Sequence, residues 1–325
     1  MPAVASSHTG LTPPTSAGRV NSNVRHPKSM PLELRPFFKY ASPDAALAML
    51  TNGTTRYSTP LVFNDPFDVQ AGLHFDFDVR ELHGAVVDRI GELASAKDAP
   101  TVDHSDSWGQ LVLEARRHFP THGFNRARWI ELTQPAFDEL IDVIEETQMK
   151  YQRHWREVQL PGMRVFCVSE DRDNLLMWAH YAKDHTGAVF ELWSLPDEDN
   201  PLSVAVPVKY VDKPIPFYTK EEWVNDMVGV RKLDFRAMYR QYACTKSSHW
   251  SYEKEWRVWY PFSKTDTYDY SPIRQTELKA VYLGCQAKES FRDDVHALLR
   301  ERYPNTRLFA AHKSKTKYAL EYTDA

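Results

Sequence analysis

Glycine is scarce in this chain, with 12 in 325 residues, and no Gly-x-Gly-x-x-Gly, Walker loop or Gly-x-Ser-x-Gly occurs. Phosphate cradles need glycine where backbone must approach a ligand closely, so Rossmann and P-loop chemistry is disfavoured. Cysteine is scarcer still. Cys167, Cys244 and Cys285 are widely spaced with no Cys-x-x-Cys pair, which is neither a disulfide framework nor a zinc ribbon. A reducing, cytoplasmic setting fits that usage best. No apolar run is long enough to span a bilayer, so no membrane partner is expected. The first residues lack the apolar core of a secretory signal. The net charge of -4 provides no global basic field, so any nucleic-acid contact needs a local patch.

What is abundant is aromatic. Apolar residues make up 42% and aromatics 13%, the profile of a globular chain able to bury a proper core. Residues 1–30, rich in Pro, Ser, Thr and Asn, are expected to form a flexible, disordered N-terminal tail. The rest, 31–325, is expected to form one α+β domain. It should carry a mixed or antiparallel sheet core and an inserted helical subdomain at about 79–158.

Phe37-Phe38-Lys39-Tyr40 predicts a strand, and Ser42-Pro43 an N-cap with proline at the first helical position. Asn52-Gly53 should end that helix, with an extended segment over 54–59 after it. Helical spacing then takes over, through Leu82, Val86, Ile90 and Leu93, then Leu111 and Ala115, then Phe137, Ile144 and Met149. Breaks are expected near Ala99-Pro100 and Phe119-Pro120. Strands return at 164–169, 187–192 and 204–211, with a short helix over 174–181 and a helical turn or two within 223–242. The last expected elements are strands near 252–260 and 278–284, a helix over 292–302 and a final strand at 308–311.

The richest stretch is Trp250-Ser251-Tyr252-Glu253-Lys254-Glu255-Trp256-Arg257-Val258-Trp259-Tyr260. In an extended segment, residues two apart share a face, so Glu253 and Glu255 should look at one space. Two like charges that close repel, and something must compensate them. Lys246 or Arg257 would do so as ion-pair partners; a bound ligand developing positive charge would do so in a cleft.

Other candidates carry a structural and a chemical reading side by side. Ser169 and Glu170 follow a strand and could face a cleft, while Asp171 or Asp173 would cap the next helix. Trp178, His180, Tyr181 and His185 form an aromatic-polar cluster. The spacing of its two histidines is unlike that of a helical zinc pair, so no metal is expected. Trp178, Tyr181 or Tyr252 could stack on a planar ligand. Asn64-Asp65-Pro66-Phe67-Asp68 makes an Asx turn, or its Asn64 and Asp65 hold a ribose hydroxyl or amide.

The ordered motifs resemble a bacterial and phage family known only as domain of unknown function 2971. They are Phe38-Lys39-Tyr40, Thr55 to Pro60 with Phe63-Asn64-Asp65-Pro66-Phe67, Cys167-Val168-Ser169-Glu170 with Asn174 to Tyr181, and Trp250 to Arg257. More distantly, a first strand, a helix ending in Asn-Gly, a Ser-Thr pair and a late Glu-x-Glu are similar to ADP-ribosyltransferases. That resemblance implies NAD as substrate, Glu255 as catalytic acid and Glu253 as its upstream partner. It also implies Ser58-Thr59 as the second NAD-binding motif and Lys39 or Tyr40 as the first. Pro60 departs from the pattern, standing where a second Ser is expected. The acceptor, whether protein, nucleic acid or small molecule, stays open, as does the oligomeric state. Two other readings compete: a non-enzymatic ligand- or partner-binding module of a stress or phage-defence system, and a metal-dependent nuclease-like toxin built on His180 and Glu170.

Overall fold

The computed structural model describes residues 34–195, 198, 200–260, 263 and 267–325. The tail expected over 1–30 lies outside them. Strand β1 (Arg35–Ala41) turns into helix α1 (Pro43–Asn52) at Ser42, whose hydroxyl accepts the Ala45 N–H. Gly53 ends α1 at φ 64°, a left-handed conformation that glycine adopts without a Cβ clash. Strand β2 (Thr54–Ser58) follows, and Thr59 caps a 3-10 turn over Pro60–Val62.

Three helices come next: α2 (Leu82–Ser95), α3 (Ser107–His122) and α4 (Arg126–His154). The break expected at Phe119-Pro120 is absent, because α3 carries Pro120 inside it. The proline ring holds a helix-compatible φ and forfeits only one amide donor. The helix ends instead at Gly123, where φ is 64°. Met149 departs from the expected apolar stripe as well, since it is exposed.

The chain continues through α5 (Leu160–Gly162), β3 (Arg164–Ser169), α6 (Leu175–Tyr181) and β4 (Ala188–Ser194). The single strand expected over 204–211 is two short ones, β5 (Val206–Pro207) and β6 (Lys209–Val211). Helices α7 (Lys220–Met227) and α8 (Phe235–Ala243) precede β7 (Thr245–Ser247). A 3-10 turn over Ser248–Glu253 leads into β8 (Glu255–Tyr260). Strands β9 (Tyr268–Pro272) and β10 (Leu278–Leu283), helix α9 (Glu289–Arg302), and strands β11 (Arg307–Lys313) and β12 (Leu320–Asp324) complete the order.

Two compact units result. One is helical and comprises Gly72–Val158 with Pro214–Ala243. Leu82, Val86, Ile90, Trp108, Phe137, Tyr151 and Trp223 form its buried interior. The other comprises 34–71, Gln159–Lys213 and Cys244–Ala325 and holds the sheet. Among the described residues no helix is long and apolar enough to cross a membrane.

The fold is α+β with a mixed sheet. Its main path runs β12-β11-β10-β4-β1-β3-β2-β9, with β8 paired to β3 and to β5. β10 and β11 run parallel, whereas β1 pairs antiparallel with β4 along its whole length. One face buries Phe37, Phe166, Val168, Phe190, Val258 and Val281 together with Leu50 of α1 and Val295 of α9. Trp256 and Tyr260 pack against that same cluster, on the face that strand alternation gives them with Val258. A smaller cluster of Tyr40, Met177, Trp178, Val189 and Tyr282 brings in α6.

β3 is where the sheet divides. Along one edge it pairs with all six residues of β8, from Arg164↔Tyr260 to Ser169↔Glu255. Along the other it meets β1 only at Phe38↔Ser169 and β2 only at Ser58↔Val165. Between those single pairings a side chain replaces a strand: Lys39 Nζ donates to the Cys167 carbonyl at 2.9 Å. A buried backbone carbonyl needs a donor, and here the ammonium supplies it.

Candidate functional site

A pocket of about 560 Å³ opens at this division of the sheet, within the range typical of small-molecule sites. Phe38, Lys39 and Tyr40 of β1, Thr54, Arg56 and Ser58 of β2, and Val165, Cys167 and Ser169 of β3 line it. Helix α6 adds Met177, His180 and Tyr181, and the loop after β2 adds Asn64 and Asp68. Lys246, Glu253 and Glu255 complete the charged part of the wall.

Glu253 and Glu255 do face one space, though not as neighbours on a strand. Glu253 closes the 3-10 turn, Lys254 makes a left-handed corner at φ 44°, and Glu255 opens β8. Ser169 Oγ donates to the Glu253 carbonyl at 2.6 Å, and Lys254 O accepts the Glu170 N–H at 3.1 Å. The corner is thereby tied to the end of β3, which keeps an uncommon conformation for lysine in place.

The two acids have different company. Glu255 is 6% exposed and receives Arg257 Nε at 2.8 Å on one oxygen and Arg257 Nη2 at 3.0 Å on the other. Lys246 Nζ adds a contact at 3.3 Å. Burial opposes its charge, but Arg257 and then Lys246 outweigh burial and hold the carboxyl well below the usual carboxylate range. Glu253 is 2% exposed and receives Lys246 Nζ at 2.6 Å and the Tyr181 hydroxyl at 2.6 Å. Here burial prevails over Lys246 and, with Glu255 adding repulsion, raises the carboxyl's proton affinity.

Asp68 completes the cluster, and it received no role from the sequence. Its carboxylate takes Arg257 Nη1 at 3.0 Å and Nη2 at 2.5 Å and lies 3.7 Å from Lys246 Nζ. Arg257, 0% exposed, is thus clamped between two carboxylates in paired contacts that suit its planar fork. Three acidic side chains thus face two cations in the buried group. Both ion-pair partners expected from sequence are present, for Lys246 bridges both acids and Arg257 holds Glu255.

The other sequence candidates divide between wall and support. Lys39, Tyr40, Ser58, Asn64, His180 and Tyr181 line the pocket. Asn64 Nδ2 reaches the Tyr181 hydroxyl at 3.5 Å, and His180 is exposed on α6. Tyr40 donates to Asp171 O at 2.7 Å. Thr59, Asp65, Trp178, Tyr252 and Arg257 lie off the wall. Thr59 is buried and donates to Leu160 O at 2.8 Å. Asp65 accepts the Phe67 N–H at 2.9 Å, the Asx turn its sequence suggests. Trp178 is fully buried, with Nε1 donating to Arg172 O at 2.9 Å, so its ring offers no open face to a ligand. Tyr252 is half-buried in the 3-10 turn, and its carbonyl accepts Asn174 Nδ2 at 2.9 Å.

Asn174, and neither Asp171 nor Asp173, caps α6: its Oδ1 accepts from Leu176 N and Met177 N. Asp171 folds back to accept the Asp173 N–H instead. Glu170 pairs with Arg35 and is not brought to His180. Among the described residues no group of three or more His, Cys, Asp or Glu side chains is placed to hold a metal ion.

Arg56, which lies within the Thr55 to Pro60 motif and has no role assigned from sequence, also lines the pocket. Strand alternation was the available signal, since Thr54, Arg56 and Ser58 share one face and Thr55 and Tyr57 are buried on the other. No curated protein and no solved structure matches this chain. A family model described as a protein of unknown function (DUF2971) matches residues 177–258, the segment that carries Tyr181, Lys246, Glu253, Glu255 and Arg257.

Proposed function

We propose that the pocket binds NAD and that the chain is an ADP-ribosyltransferase-like enzyme, with Glu253 as the acid that acts and Glu255 as its buried anchor. The supporting observation is the wall at Glu253: an enclosed carboxylate held by Tyr181 and Lys246 beside a cavity of nucleotide size. In the reaction, the bond between the ribose C1′ and the nicotinamide nitrogen breaks, and its electron pair leaves with nicotinamide. Positive charge develops on the ribose, and a fixed carboxylate in a dry cleft lowers that barrier. An acceptor nucleophile then bonds C1′. Glu255, fully engaged by Arg257 and Lys246, holds the charge frame instead of meeting the sugar. The three cysteines are free thiols, which accords with a reducing, cytoplasmic setting.

The test is nicotinamide release from NAD by wild type and by Glu253→Gln, alongside thermal-shift titration with NAD. The substitution is expected to lower turnover by about 100-fold or more, the scale of a lost electrostatic contact. The folded state should survive, because the amide still accepts from Tyr181. Wild-type turnover in Glu253→Gln overturns the assignment.

One observation favours a second reading, a non-enzymatic ligand- or partner-binding module of a stress or phage-defence system. The cluster is already nearly neutralised from within, as a structural network is. Under that reading NAD raises the melting temperature with no nicotinamide released, or has no effect at all.

A further inference from the structure

The charged side chains of the pocket fall into two groups that differ in how they are compensated. Lys246 and Arg257 are consumed by Asp68, Glu253 and Glu255. Lys39 and Arg56 are not: among the described residues, neither lies within ion-pair distance of a carboxylate. Lys39 spends one of its three donors on the Cys167 carbonyl and lies 5.1 Å over the Phe166 ring. Arg56 stacks on Tyr268, 4.5 Å from the ring centroid, which orders the guanidinium while leaving its in-plane N–H donors unspent.

These two cations also share their surroundings with hydroxyls. Alternation along β2 puts Thr54, Arg56 and Ser58 on the pocket wall in a hydroxyl–guanidinium–hydroxyl row, and Lys39 of β1 lines the same pocket. Lys39 senses its neighbour. Burial lowers its proton affinity, Cys167 and Glu255 raise it, and Arg56 lowers it again. Two cations that lack a paired carboxylate and line one cavity repel each other, and an anion between them would relieve that repulsion. The same chemistry, a planar fork plus a point charge plus hydroxyl donors, is what a phosphate oxygen set requires.

We infer that Thr54, Arg56, Ser58 and Lys39 form an anion subsite for a phosphate or pyrophosphate group of the pocket's ligand. This deepens the proposed NAD reading by assigning the polar ends of the pocket: phosphates to β2 and Lys39, the cationic nicotinamide–ribose end to Glu253. The subsite does not need the transferase chemistry, so it can be tested without it.

The experiment is a thermal-shift titration of the full chain with inorganic pyrophosphate, at ionic strength held constant with potassium chloride. Wild type is expected to gain about 1–3 °C at ten times the dissociation constant. Arg56→Ala, at an exposed position, and Lys39→Met should each weaken pyrophosphate binding at least tenfold. Lys315→Ala, on an exposed lysine outside the pocket, should bind as wild type does. No shift in wild type, an undiminished affinity in Arg56→Ala, or an equal loss in Lys315→Ala overturns the subsite. Pyrophosphate binding with these dependences, in a protein that releases no nicotinamide, upholds the subsite while refuting the transferase reading. Nicotinamide release with no pyrophosphate effect does the reverse.

Discussion

Tyr181 donates its phenolic hydrogen to Glu253 at 2.6 Å, joining α6 to the turn that precedes β8 across 72 residues of sequence. The hydroxyl supports the ionised carboxylate, while burial first and the carboxylate second hold the phenol well above its ordinary range. In the transferase reading this bond adds to Lys246 in keeping Glu253 charged against burial and the repulsion of Glu255.

Tyr181→Phe therefore has a directional consequence. Loss of the donor removes a contact to the charged form, so the proton affinity of Glu253 rises further. The acid limb of the pH profile for NAD turnover is expected to move upward by about one unit, the equivalent of one charge-assisted hydrogen bond. An unshifted profile would mean that the tyrosine only fills space.

Arg257 offers the clearest stability test. It is fully buried, with Asp68 and Glu255 as its partners. Arg257→Met keeps much of the side-chain volume but leaves three buried carboxylates with Lys246 alone. The loss is expected to be about 3–5 kcal/mol in denaturant unfolding at neutral pH. Replacing one member of a buried pair strands the others, which is why the cost exceeds the net worth of the interaction. A loss below about 1 kcal/mol would show that water reaches the cluster and screens it.

Acid titration separates the two glutamates by sign. Glu255 has a lowered proton affinity in the folded chain. Its contribution is therefore present above the unfolded carboxylate value, about 4.3, and is lost as pH falls from there through the lower folded value. Glu253 has the opposite sign: its raised affinity makes the ionised form cost stability at neutral pH, a cost relieved as pH falls. Glu255→Gln should accordingly be less stable than wild type at pH 7, with the difference shrinking below about pH 4. Parallel stability curves for the two proteins across that range would show that Glu255 is not charged in the fold.

Much of the scaffold was legible from short-range rules. The Ser42 cap, the Gly53 terminator, β3, α6 and β10 follow from side-chain capping bonds, from a φ that glycine tolerates, and from apolar alternation. β9 and β12 escaped because no residue of either is fully buried, which weakens the apolar alternation, although Leu320 and Tyr322 of β12 do pack against the α6 cluster. The break placed at Pro120 failed for a related reason, since proline's fixed φ suits a helix that neighbouring turns already support.

From short-range pattern alone, two acids near one strand start needed compensation because like charges repel, and Lys246, Arg257 or a bound ligand could each supply it. The sequence did not determine which acid would be saturated. That was decided by Asp68, which reaches Arg257 from 189 residues away, and by Tyr181, which arrives on a separate helix. Local patterns encode dihedral and burial preferences a few residues long. The convergence of charges depends on β3 holding β8 on one edge and parting from β1 and β2 on the other, and only the assembled sheet fixes that register.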